Sequence, residues 1–294
     1  MIDISNVFLY FIIHTRRQTH QKAPFYSYIM TLHQHTISHM QTPYPLLQVH
    51  ILTLMPAMWN AFDHGVIHRA KNQNIWQQTI WNIRDFSHKH DGRIDNKPYG
   101  GGPGMVMQYP PLDRCWQSVQ RNQSQRPFLV QMDPSGTSLD YHVLQRLSKQ
   151  PAVAILCGRY EGIDQRFTDQ HVDLCVSVGS FVVSGGDLPA MLLLDALVRM
   201  LPGALGNADS AQQDSHCHHG MLDHPAYTRP KCSQGGVVPA VLTSGHAARI
   251  AAWQRKMQLG RTWMHHPQAL IGQSLDEHDV DYLQAFMREQ RTTT

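Results

Sequence analysis

Residues 152–164 read AVAILCGRYEGID, six apolar positions in a row followed by a glycine-bracketed loop. An unbroken apolar run of this length fits a strand buried on both faces, as in a parallel sheet, and glycine at its end lets the backbone turn or approach a ligand closely. Outward from it, apolar strand candidates recur at 48–54, 75–83, 127–132 and 173–178, and helical patterns at 57–64, 112–121 and 139–149. Pro56 suits the first turn of the first helix. Strands alternating with helices of this length predict an α/β domain with a mainly parallel sheet. Residues 188–201 (LPAMLLLDALVRML) read as a helix apolar nearly all round, which predicts burial on both sides and a contact between subunits. Residues 202–220 are polar, glycine-containing and aperiodic, the pattern of a linker or functional lid. Residues 244–259 and 276–288 read as helices of a smaller C-terminal domain, with Ser244 and Ser274 as candidate N-caps.

The 294 residues suffice for two ordinary domains, and 42 % apolar against 16 % charged residues excludes a disordered chain or a coiled coil. With 25 Lys and Arg against 22 Asp and Glu, the net charge of +3 permits a nucleic-acid partner without demanding one. The 20 histidines would add positive charge below neutral pH. Cys115, Cys157, Cys175, Cys217 and Cys232 are scattered with no CxxC pair, which argues against a disulfide scaffold and for a reducing cytosol. No apolar run approaches the roughly 18 residues that cross a bilayer. The nearest, 7–13 (VFLYFII), has Asp3 before it and Arg16 and Arg17 after it, the reverse of a secretory signal. Residues 1–46 are polar, His-rich and aperiodic, which predicts an unstructured extension; Met30 and Met40 within it would serve as later starts.

Three glycine-rich segments are candidates for chemistry: 97–105 (KPYGGGPGM), 157–164 (CGRYEGID) and 177–189 (SVGSFVVSGGDLP). Each alone could be no more than a tight turn. In an open α/β sheet, however, ligands bind at the carboxyl ends of strands, so two such loops from neighbouring strands would make one pocket. Neither loop matches GxGxxG or GxxxxGK[ST]. With Glu161 in one and no Lys or Arg in the last, such a pocket lacks cationic clamps for a polyphosphate. It suits a cofactor held by backbone hydrogen bonds, with a carboxylate to meet an amine or ribose hydroxyl: an adenosyl compound without phosphates.

The strings KPYGGGPGM, CGRYEGID, VSGGDLPAM, DHPAYTRP, GHAARIAAW and LGRTW follow one another in order between about residue 47 and the C-terminus. Together they resemble the bacterial tRNA (guanine-N1)-methyltransferases, of the trefoil-knotted SPOUT class. That resemblance implies a knotted, S-adenosylmethionine-binding α/β domain at 47–203, a flexible linker or lid at 204–220 and a helical tRNA-binding domain at 221–294. It implies a homodimer in which both subunits build each active site, with no membrane and no other protein partner. The substrate would be the guanosine immediately 3′ of the anticodon, methylated on N1, and a magnesium ion is admitted as an auxiliary.

Carried onto this chain, the resemblance implies a cofactor pocket made of Met132, Pro134, Ser135 and Gly136, then Gly158, Tyr160, Glu161 and Gly162. The third segment adds Val178, Gly179, Ser180, Phe181, Val182, Val183, Gly185, Gly186 and Pro189. Glu161 would face the cofactor's polar groups, and backbone of Val178, Gly179 and Val183 would hold the adenine. The chain departs from the family pattern at Gln131, usually aromatic, at Ser180-Phe181, usually Asp-Tyr, at Asp187, usually Glu, and at Ala57, usually acidic. Guanine N1 carries a proton at neutral pH, so its methylation needs a base for that proton and a cation for the charge that spreads onto O6. Asp214, in Gln213-Asp214-Ser215, matches the family's base and Arg199 its cation. Read without the family, Asp214 is an exposed loop carboxylate and Arg199 a charge favouring a helix dipole.

His216, Cys217, His218 and His219, with His224 and Cys232, invite a zinc reading, but no standard ligand spacing occurs and no metal site is expected. RNA contact is expected from loop 84–97 and from Arg249, Arg255, Lys256, Arg261, His265 and His266, interleaved with Trp253 and Trp263. Two rival readings remain: an RNA-binding protein without catalysis, favoured by Ser180-Phe181, and a zinc-binding regulator.

Overall fold

The computed structural model describes residues 46–206, 215–216, 220–271 and 273–293. Asp209, Asp214, Cys217, His218, His219 and the extension up to residue 45 lie outside the described residues. The strands are β1 (Leu47–Thr53), β2 (Trp76–Asn82), β3 (Asp95–Asn96), β4 (Val106–Met107), β5 (Phe128–Ser138), β6 (Ala152–Cys157), β7 (Leu174–Ser177), β8 (Cys232–Ser233) and β9 (Gly236–Val237). The helices are α1 (Gly65–Asn72), α2 (Tyr109–Arg121), α3 (Tyr141–Ser148), α4 (Gln165–His171), α5 (Asp187–Arg199), α6 (Ala247–His265) and α7 (Glu277–Thr293).

Five strands form one sheet in the order β2-β1-β6-β5-β7, and every pair in it is parallel. Its two faces are both covered, which is why the central strands read as continuous apolar runs. Leu47, Val49 and Ile51 of β1 and Val153, Ile155 and Cys157 of β6 face a layer holding Ile67 and Ala70 of α1, Leu147 of α3 and Leu193, Leu194 and Leu197 of α5. Leu52 of β1 and Ala154 and Leu156 of β6 point the other way, onto Leu112, Trp116 and Val119 of α2 and Phe167 of α4.

Several local expectations are corrected. The helix expected at 57–64 is a 3-10 helix, Pro56–Asp63. Extended His64 and left-handed Gly65 (φ 74°), the first residue of α1, break it from that helix. Helix α2 starts three residues earlier than expected, with proline in the first turn, where no backbone N–H needs a partner. Helix α4 carries no long apolar period; Asp164 caps it by accepting from Arg166 N at 3.1 Å. Ser244 is not the cap of α6: its Oγ accepts from His246 N at 3.2 Å, closing the turn before the helix. Asp276, not Ser274, caps α7, accepting from Asp279 N at 2.8 Å.

Helices α6 and α7 pack closely at Gly260, where a Cβ would lie 2.2 Å from the Phe286 ring. Arg255 donates to both oxygens of Asp279, at 2.7 and 2.5 Å, and Lys256 to Glu289 at 2.7 Å. Those two cations, expected to meet RNA, are therefore engaged in joining the helices. No helix among the described residues is long and apolar enough to cross a membrane.

Candidate active site

At the carboxyl ends of β5, β6 and β7, three loops enclose a cavity of about 350 Å³. The first wall arises inside β5. Met132 and Thr137 both pair with Val176, so residues 133–136 are squeezed out of the strand as a bulge. Gly136 is where the chain returns: a Cβ there would sit 2.5 Å from Cys175 C and Val176 N, both immovable backbone. The second wall is the loop after β6, turned by Tyr160 (φ 61°) and Gly162 (φ 130°). The third is the segment from Ser177 into α5.

Backbone contacts hold these walls in register. Gly186 N donates to Gly158 O at 2.7 Å, and a Cβ on Gly186 would lie 2.8 Å from Gly158 N. The loop that carries Glu161 is clasped by the first glycine-rich segment: Glu161 N donates to Met105 O at 2.8 Å and Met107 N to Gly162 O at 2.9 Å. Gly104 lies directly against the Glu161 side chain.

A buried carboxylate ties the second and third walls together. Asp187, 1 % exposed, accepts at one oxygen from Thr53 Oγ1 and from Trp59 Nε1 (3.3 Å), and at the other from Arg159 Nε (3.1 Å) and an Arg159 terminal nitrogen (3.0 Å). Arg159 is thus neutralised by Asp187. Burial, and then the nearby Asp187 carboxylate, push the Cys157 thiol well above its ordinary pKa, so it remains a protonated packing group. Asp133 accepts from Ser135 N (2.8 Å), Ser135 Oγ (2.6 Å) and Gln131 Nε2 (3.0 Å), while Thr168 Oγ1 donates to Gln131 Oε1 (2.8 Å).

Of the residues expected at the pocket, Met132, Pro134, Ser135, Gly158, Tyr160, Glu161, Gly162, Val178, Phe181, Val182, Val183, Gly185, Gly186 and Pro189 line the cavity. Gly136, Gly179 and Ser180 stand beside it: Gly136 is occupied in closing the bulge, and the Phe181 ring leans over Gly179 and takes the wall position. Gln131, Asp133, Arg159, Ile163, Val176 and Ser177 also line it. Arg159 was within reach of the sequence, being inside CGRYEGID, but its partner lies 28 residues further on. Arg199 ends α5, about 15 Å along the helix beyond Pro189, the last pocket-lining residue on it, at 1.5 Å per residue. A second cavity of about 370 Å³ adjoins the first, sharing Arg159 and Tyr160 and adding Leu54, Met55, Arg84 and Ser184.

The cavity fits an adenosyl cofactor without phosphates. Among the described residues no lysine lines it, its arginine is already paired, and Gly158 and Gly186 bring bare backbone to its edge.

Parallel strands, both sheet faces covered and a pocket of glycine loops at the carboxyl ends define an α/β protein of the nucleoside-cofactor-binding kind. The family model described as tRNA (Guanine-1)-methyltransferase TrmD matches residues 47–272, and the chain belongs to that family. It is 43 % identical to the tRNA (guanine-N(1)-)-methyltransferase of Chromobacterium violaceum over 249 residues, covering 83 % of this chain and 97 % of that protein. It is 41 % identical to the corresponding protein of Pseudomonas entomophila over 244 residues, again 83 % and 97 %. The crystal structure of tRNA (m1G37) methyltransferase from Aquifex aeolicus superposes with a TM-score of 0.63 at 31 % identity, covering 79 % of this chain and 100 % of that one.

Proposed function

We propose that this chain transfers a methyl group from S-adenosylmethionine to N1 of the tRNA guanosine immediately 3′ of the anticodon. The observation that carries the reading is a cavity of glycine loops whose one lining arginine is paired with Asp187, in a chain of this family. S-adenosylmethionine, when bound, supplies a methyl on a sulfonium that is already a good leaving group. Protein groups must therefore work on the acceptor. Asp214 takes the N1 proton, and Arg199 offsets the negative charge that spreads onto O6.

The length of α5 favours a dimer. Because Arg199 stands about 15 Å along the helix from its own chain's pocket, Arg199 of the partner subunit completes the site. Leu188 and Leu192, 51 % and 58 % exposed on α5, offer apolar surface for that second copy. In this reading residues 47–203 bind the cofactor, 204–220 form the lid that carries Asp214, and 221–294 help hold the tRNA. Exposed Arg84, in the adjoining cavity, supports RNA approaching the same face of the sheet. Among the described residues Cys115, Cys157, Cys175 and Cys232 are unbridged, which suits work in the cytosol.

The test is methylation of unmodified tRNA, with the product base identified by mass spectrometry. Asp214→Asn keeps the side chain's shape but cannot take a proton, and should lower the rate by about 10²–10⁴-fold with cofactor binding nearly unchanged. Arg199→Ala should lower it comparably, and Asp209→Asn should stay near wild type. A normal rate in Asp214→Asn, or failure of Asp209→Asn instead, would displace the base to another residue. Absence of methylation by the wild type would leave an RNA-binding protein. Chelation with EDTA tests whether a magnesium ion assists the base.

A further inference from the structure

Among the described residues, the charged side chains lining the cofactor cavity are Asp133, Arg159 and Glu161. Arg159 and Asp187 cancel as a closely paired unit, their facing atoms 3.0 Å apart. Among the described residues that line it, the cavity is left with two carboxylates and no further cation.

Glu161 lines the cavity and is the carboxylate proposed to face the cofactor's polar groups, whereas Asp133 has been given no role. Its surroundings are built to keep it charged. Burial works against ionisation, but the hydrogen bonds from Ser135 and Gln131 outweigh it and hold the carboxyl below its usual range. Those three bonds use most of the roughly four acceptor positions a carboxylate offers. Thr168 in turn fixes Gln131. Asp133 is therefore a fixed negative charge on the cavity wall, with little hydrogen-bonding capacity left to spend on a ligand. What it exerts on a ligand is its field.

The two adenosyl species of a methyl transfer differ in charge. S-adenosylmethionine carries an ammonium, a sulfonium and a carboxylate, net +1. Loss of the methyl leaves a neutral thioether, and S-adenosylhomocysteine has net charge zero. We propose that Asp133 is a specificity-determining residue, whose fixed charge makes the cavity favour the cationic methyl-bearing cofactor over its neutral demethylated product. This rests on the cavity being the cofactor site, and it assigns Asp133 a part in the replacement of product by fresh cofactor after each turnover. A unit charge acting across several ångströms of partly wet protein is worth about five- to tenfold in affinity.

Calorimetric titration of the full chain with each compound tests it, using Asp133→Asn, which keeps the shape and removes the charge. Affinity for S-adenosylmethionine should fall about five- to tenfold, and affinity for S-adenosylhomocysteine less than about twofold. Sinefungin, which bears an ammonium close to where the sulfonium stands, should follow S-adenosylmethionine. Asp133→Ser, also free of charge, should repeat the pattern. Equal weakening of the cationic and neutral compounds would make Asp133 a mere loop support and overturn the proposal, as would no change in either. If the wild type binds neither compound, the cofactor reading itself fails and this inference falls with it. Normal binding with an unaltered preference in Asp133→Asn sinks the inference alone.

Discussion

Asp187 lies 1 % exposed with four hydrogen-bond donors directed at its two oxygens, from Thr53, Trp59 and twice from Arg159. Desolvating a carboxylate is costly, and it is tolerated here because Arg159 brings a matching charge and the hydroxyl and indole complete its coordination. The three partners come from the end of β1, the 3-10 helix after it and the loop after β6, so one side chain pins three segments beneath the cavity. Asp187→Asn should retain the bonds from Thr53 and Trp59 but leave Arg159, itself only 18 % exposed, without its counter-charge. We expect a loss of about 3 kcal/mol, the lower end for a broken buried pair, because Arg159 keeps some access to water. Urea unfolding followed by tryptophan fluorescence measures it; a midpoint equal to that of the wild type would show the pair to be dispensable.

At the scale of elements, α5 explains why its sequence is apolar nearly all round. Ala190, Leu193, Leu194, Leu197 and Val198 pack onto the sheet, which accounts for one face. Leu188 and Leu192, four residues apart and so on one stripe, remain outside it. Two exposed leucines on a helix that begins at the pocket and ends at Arg199 fit an interface that would put each Arg199 near the other subunit's site. Leu192→Glu places a charge on that stripe. Sedimentation at micromolar concentration should find the wild type dimeric and the variant largely monomeric, with methylation lost and cofactor binding retained. A variant that still sediments as a dimer would put the interface on a different face. The bulge in β5 works at the same scale: of four residues removed from the ladder, Asp133, Pro134 and Ser135 become a cavity wall without lengthening any loop.

For the whole molecule, parallel pairing throughout the main sheet puts the carboxyl ends of all five strands on one side, so loops distant in sequence meet there. Leu47, at the start of β1, is fully buried and its N–H donates to Ile75 O at 3.2 Å, and the family match begins at the same residue. A chain started at Met40 should consequently keep its unfolding midpoint, sedimentation and methylation rate. Insolubility or loss of activity on that truncation would assign residues 1–39 a structural part.

What the sequence determined by itself is what each residue's own surroundings demand. Burial on both faces writes an unbroken apolar run, so Ala152–Cys157 is legible as a strand with its observed limits. Close backbone approach excludes a Cβ, so Gly158 and Gly186 announce a pocket edge without any knowledge of what crosses there. Short helices were less legible: α4 has seven residues, too few for an apolar period, and is started by a cap and one buried phenylalanine. The tertiary structure alone decided that Arg159 is spent on Asp187, that Met132 and Thr137 share one partner in β7, and which leucines of α5 the sheet leaves uncovered. Each of these depends on which segments meet in space. Local periodicity records the burial of a residue, but not the identity of the distant group that buries it.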